Sequence, residues 1–147
     1  MKKRVVYVNG NFVDEDKAKV SVFDRGFLFA DAVYEVTAVI DGKILEWDGH
    51  VKRLERSLKE LDMKSPISET KLLDIHFDLI KKNTLKEGLI YLQVTRGEDD
   101  RSFDYPDESV KPTLVLFTQV KSLAESNIAK TGLKVISVPD MRWGRRD

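Results

Sequence analysis

Three side chains of this sequence have the chemistry and the setting to hold a small anion. Arg53 follows His50 in a stretch where Val51, Leu54, Leu58 and Leu61 repeat at helical spacing. A guanidinium never loses its charge and can grip a phosphate through two parallel hydrogen bonds, so Arg53 beside that apolar stripe suits a phosphate. His50 and Ser57 share its flank, whereas Lys52 and Arg56 point more squarely to solvent. Spacing alone favours a solvated charge at Arg53, and it serves an ordinary polar residue at His50 equally well. Arg101 lies in Gly97-Glu98-Asp99-Asp100-Arg101-Ser102-Phe103-Asp104-Tyr105-Pro106, a loop that follows a strand. Recognition groups gather on such loops. There Arg101 can dock a carboxylate or pair with its acidic neighbours, and the sequence leaves both open. Tyr34 falls on the apolar side of an alternating strand, which on pattern alone reads as a core aromatic.

Composition removes several alternatives. The 147 residues contain no cysteine, which excludes disulfide frameworks, thiolate nucleophiles and cysteine-based zinc sites. Lys+Arg and Asp+Glu are both 25, so no bulk field recruits nucleic acid or an anionic membrane. Hydrophobic residues at 41% and charged residues at 34% favour a folded globular chain, long enough for one domain with its own core. No apolar run approaches the ~18 residues that a membrane helix needs. Lys2-Lys3-Arg4 runs straight into a short strand, too brief for the core of a signal peptide. The expectation is a soluble cytoplasmic protein with no resident metal.

The elements that must position these residues read as follows. Strands are expected at Val5–Val8, returning through Asn9-Gly10 into Phe12–Val13, and at Ala18–Phe23 before a break at Asp24-Arg25-Gly26. Ala32–Ile40 is the clearest strand, with Tyr34, Val36, Ala38 and Ile40 on one face. Asp41-Gly42 turns it into Lys43–Trp47. Asp48 is the expected cap of the first helix and Ser68 that of a second, whose buried side is Leu72, Ile75, Phe77, Leu79 and Ile80. Strands resume at Leu89–Arg96, Thr113–Val120 and Leu133–Val138. Strands, two helices together, then strands again predict an α+β fold with a mainly antiparallel sheet covered by helices. No glycine-rich phosphate loop is present.

Four segments, spread over almost the whole chain, carry a family resemblance. They are Asp24-Arg25-Gly26 with Phe29-x-Asp31-x-Val33-Tyr34-Glu35; His50-x-x-Arg53-Leu54; Thr95-Arg96-Gly97 with Arg101; and Arg142-Trp143 with Arg146-Asp147. In this order and spacing the chain resembles the class IV (fold-type IV) pyridoxal-phosphate aminotransferases and their lyase relatives. The stretch from Gln93 to Gly97 leans toward the D-amino-acid aminotransferase branch. The resemblance implies that residues 1–147 form one domain like the small N-terminal domain of those enzymes, with the C-terminal cofactor domain absent. It implies pyridoxal 5′-phosphate as cofactor, an amino acid and a 2-oxo acid as substrates, and a homodimer whose loops complete each other's sites.

By position, the resemblance makes Arg53 the phosphate-binding arginine and Tyr34 a tyrosine that faces the site and helps hold the substrate carboxylate. It makes Arg101 a carboxylate-docking arginine that reaches the active site of the partner subunit. Trp143 and Arg146 would flank the cofactor or simply pack, and Arg25 and Asp31 would shape the turn before the Tyr34 strand. The D-type pattern has a histidine two residues after the loop arginine, where this chain has Phe103. That departure leaves branched-chain aminotransferase and aminodeoxychorismate lyase as alternatives. The family pattern continues past Arg-x-Asp to the Schiff-base lysine, which here would be the second residue beyond Asp147. A truncated fragment is therefore expected, binding the cofactor weakly at best and inactive alone, with no catalytic residue of its own. From another class, the reading is a non-catalytic α+β module that dimerises or binds anions.

Overall fold

Ala32–Ile40 has apolar residues on both of its alternating faces, and the two faces meet different surroundings. The computed structural model describes residues 3–125, 127–141 and 144. Its strands are β1 (Val5–Val8), β2 (Asn11–Asp14), β3 (Ala32–Ile40), β4 (Lys43–Ile44), β5 (Gly88–Thr95) and β6 (Thr113–Val120). They form one antiparallel sheet in the order β2-β1-β6-β5-β3-β4. The helices are α1 (Arg25–Phe29), α2 (Trp47–Glu60), α3 (Glu69–Asn83) and α4 (Asn127–Thr131). The α+β expectation holds, with two long helices and two short ones among the described residues. Among the described residues no helix is long and apolar enough to cross a membrane.

The long helices cover one face. Val33, Glu35, Thr37 and Val39 of β3 are buried there, in register with Val94, Leu92, Ile90 and Gly88 of β5. Leu54 and Leu58 of α2, and Leu72, Ile75 and Leu79 of α3, close the core over them. Each such side chain contributes about 1.5–3 kcal/mol when fully buried. Tyr34, Val36, Ala38 and Ile40 share the other face, as the alternation predicts. That face is open: Tyr34 is 65% exposed, so it is not a core aromatic. Its ring stacks on Tyr91 at 5.8 Å, and Tyr91 stacks on Phe117 at 5.0 Å.

Several local expectations need correction. Ala18–Phe23 forms no strand, and Val20, Val22 and Phe23 are exposed; the chain turns instead, with the Asp24 amide donating to Ser21 O. Asp24-Arg25-Gly26 is not a simple break: Asp24 caps α1 by accepting from the Gly26 amide. Lys43–Trp47 shrinks to Lys43–Ile44, because α2 already begins at Trp47 after a left-handed Glu46 (φ 51°). Asp48 therefore lies in the first turn rather than at the cap, where its charge still favours the helix N-terminus. Leu61 is the C-cap that follows α2 and is exposed. Ser68 caps α3 as expected. Phe77 is half exposed, because the buried stripe runs Leu72, Ile75, His76, Leu79, and position 77 is rotated off it. Leu133–Val138 is not a strand; Leu133, Val135, Ile136 and Val138 are exposed, and an apolar run without a neighbouring strand has no ladder to join.

Candidate functional site

A single buried carboxylate organises the first half of the site. Glu35 points from β3 into the helix-covered face, and its side chain is 4% exposed. The Arg53 Nε donates to Glu35 Oε1 at 2.7 Å and Nη2 donates to Oε2 at 2.6 Å, a two-point grip. His50 Nδ1 lies 2.8 Å from Oε2. Burial acts to raise the Glu35 pKa, but the bonds from Arg53 and His50 and the Arg53 charge outweigh it, so the carboxyl lies below its ordinary range. An ionised carboxylate only accepts, so His50 Nδ1 carries the proton and donates. The Glu35 bonds and charge raise the Arg53 pKa further, with a smaller contribution from Tyr34. One edge of Arg53 is thus spent on Glu35, while the side chain as a whole remains 57% exposed.

Behind this group lies a histidine, His76, that no spacing or motif singles out. His76 donates from Nδ1 to Leu72 O at 2.8 Å and meets the Trp47 ring edge-on at 4.9 Å, a contact between α3 and the first residue of α2. Burial drives its pKa down to about 4, so it is neutral at pH 7.

Arg101 sits in different surroundings. Its guanidinium is 5.3 Å from the Phe29 ring and 5.2 Å from the Phe103 ring, and the two rings are 5.8 Å apart. Among the described residues it makes no ion pair. The acidic neighbours are turned to their own loop: Asp104 accepts from the Ser102 hydroxyl, and Asp99 from the Asp100 amide. The loop starts at Gly97, where φ is 114° and an added Cβ would fall 2.2 Å from Lys111 O, so only glycine passes.

Arg53 and Tyr34 are electrostatic neighbours at the start of β3, on opposite faces of the strand. Arg101 touches neither, and keeps company with α1 instead. A groove of ≈ 340 Å³ lined by Asp62, Met63, Lys64, Arg96 and Tyr105, among others, includes none of the three. Arg142, Trp143, Arg146 and Asp147 lie outside the described residues. Glu35 was missed as a site residue although its signal is present: a carboxylate among valines on the helix-facing side of a strand, followed by a helix with His50 and Arg53 three apart. Arg25 and Asp31 do more than shape a turn, as described below.

Comparison with known proteins bears on the family and the fold. The amino-transferase class IV family model matches residues 32–147. The D-alanine aminotransferase of Staphylococcus haemolyticus is 34% identical over 142 residues, 97% of this chain and 50% of that protein. The chain thus spans about half the length of the curated relatives it matches. A branched-chain amino acid aminotransferase of Escherichia coli superposes with a TM-score of 0.75 at 20% identity, over 87% of this chain and 43% of that one. A 4-amino-4-deoxychorismate lyase from Pseudomonas aeruginosa gives 0.63 at 29% identity, over 80% and 40%. The chain belongs to the class IV aminotransferase family, and its sheet with covering helices matches the N-terminal half of those folds.

Proposed function

We propose that residues 1–147 are the N-terminal part of a pyridoxal-phosphate-dependent aminotransferase of the D-amino-acid type, acting in the cytoplasm as a homodimer on an amino acid and a 2-oxo acid. The observation that carries the reading is the Glu35–His50–Arg53 group within a chain 34% identical to a D-alanine aminotransferase. The donor set fits the cofactor's phosphate in part. Arg53 is locked in orientation by a carboxylate on one edge and still presents an exposed cation, which a phosphate dianion requires. When bound, the cofactor supplies the electron-withdrawing ring that lets an α-hydrogen leave as a proton. Arg53 holds the phosphate, and Glu35 and His50 hold Arg53. Tyr34 offers a hydroxyl from the open sheet face, and Arg101 offers a guanidinium with no competing carboxylate. None of these side chains is the lysine amine that a Schiff base requires, so on this reading the 147 residues bind and orient but do not turn over substrate.

The test joins residues 1–147 to the C-terminal half of the S. haemolyticus relative, adds cofactor, and compares amino donors. Turnover with D-alanine and not L-leucine is expected. A folded chimera that prefers L-leucine, or that only cleaves aminodeoxychorismate, would transfer the chain to the branched-chain or lyase branch. Phe103, which packs on Arg101 where the D-type pattern has a histidine, is the observation in favour of that second reading.

A further inference from the structure

We propose that Arg25 is the positioning residue for Arg101. This rests on the reading of Arg101 as the carboxylate-docking group. Arg25 is 5% exposed, an unusual place for a charge unless it is fully engaged. Its Nε donates to Asp31 Oδ2 at 3.1 Å, and its Nη1 donates to the backbone oxygens of Ser102 at 3.0 Å and Asp104 at 3.2 Å. Those two carbonyls bracket Phe103. Gripping both fixes the backbone between them and hence where the Phe103 ring stands.

The same guanidinium lies 4.9 Å from the Phe29 ring, the other wall on which Arg101 rests. Arg25 therefore acts on both aromatic contacts of Arg101 without touching it. Asp31 anchors the arrangement from below. It is shared with Arg96, whose Nε donates at 2.7 Å and whose guanidinium lies 4.9 Å from the Tyr105 ring at the far end of the loop. The start of the loop is tied as well, by the Arg25 amide donating to Gly97 O at 2.8 Å. A loop whose own acids ignore its arginine is thus ordered by a buried cation on α1, which leaves the N–H edges of Arg101 free for a ligand carboxylate while the rings hold its plane.

The experiment uses the 147-residue chain and nuclear magnetic resonance of the arginine side chains. In the parent chain the Arg101 Nε–H signal should carry a ring-current shift, and the Arg25 Nη protons should be resolved and slow to exchange. Arg25→Lys keeps the charge but replaces the planar fork, which reaches three separated acceptors from two nitrogens, with a single ammonium. It should return the Arg101 signal to the free-arginine position and raise trypsin cleavage after Arg101 about tenfold, the effect of losing hydrogen bonds worth ~1.4 kcal/mol, with the Ile90 and Leu92 amides still protected. Phe29→Leu, a milder change, should remove part of the shift while the loop amides stay protected.

An Arg101 signal and cleavage rate unchanged in folded Arg25→Lys would overturn the proposal. So would rapidly averaged Arg25 Nη protons in the parent chain, a result that needs no variant. Titration with pyruvate separates the two ideas. If pyruvate leaves the parent Arg101 signal unmoved while Arg25→Lys still frees the loop, the docking reading fails and the positioning role stands.

Discussion

Arg53 and Arg101 are both suited to an anion by residue type, yet Arg53 is held by a buried carboxylate and Arg101 by two aromatic rings. The first arrangement is electrostatic and directional. It fixes one edge of the guanidinium, keeps Glu35 ionised in a nearly dry place, and ties the start of α2 to β3. The second fixes a plane and neutralises nothing. Arg53 is therefore part of the fold as well as of the proposed site, whereas Arg101 can be removed without stranding a partner. The difference separates a permanent anchor, suited to a cofactor that stays, from an unsatisfied cation, suited to a substrate carboxylate that comes and goes.

Acid should distinguish the two regions most strongly. The native pKa of His76 is about 4 against an ordinary 6.5, so its contribution is complete above pH 6.5 and is lost as pH falls toward 4. Fully expressed, that loss is about 3 kcal/mol. Glu35 adds to the same limb, because its lowered pKa gives stability that is present above the ordinary carboxylate range and lost as pH falls through the native value. Denaturant titrations across this range should show a steep decline in the parent chain and a flatter one in His76→Leu. Through the same range the ring-current shift of Arg101 should hold until the helix-covered face itself gives way.

Truncating each arginine sharpens the contrast. Arg53→Ala leaves Glu35 buried with His50 as its remaining partner, and the melting temperature should fall by several degrees. Arg101→Ala should stay within ~0.5 kcal/mol of the parent. Equal losses in thermal melts of the two variants would erase the distinction. The smallest effect is expected on the open face. The Tyr91 pKa is raised by burial and, secondarily, by Tyr34, so Tyr34→Phe should lower it slightly in an ultraviolet titration and barely change stability. A large loss of stability would show that Tyr34 packs more tightly than its exposure allows.

Much of this was legible in the residues: Ala32–Ile40 and Thr113–Val120 are strands where they were expected, and Ser68 announces α3. The helix-covered core followed from periodicity. What escaped was set by tertiary context. Five residues make a single turn, so α1 has almost no periodic signal and looks like a loop. Tyr34 resembled a core residue because β3 is apolar on both faces, and alternation cannot say which face the helices take. Arg53 was found from its helical flank, but its partner Glu35 lies eighteen residues earlier, and no local spacing rule links them. The hold of Arg25 on Ser102 and Asp104 crosses more than seventy residues and is visible only in three dimensions.

The central claim is that Arg53 grips a phosphate while Arg101 does not. It is tested most directly by adding pyridoxal phosphate, and separately pyridoxal, to the 147-residue chain while following both arginine Nε–H signals. At ligand concentrations around ~1 mM, where even weak complexes with about −4 kcal/mol of binding free energy are half formed, the Arg53 signal should move with pyridoxal phosphate and not with pyridoxal, and Arg101 should stay still. An unmoved Arg53, or two arginines that respond alike to both compounds, would contradict the account.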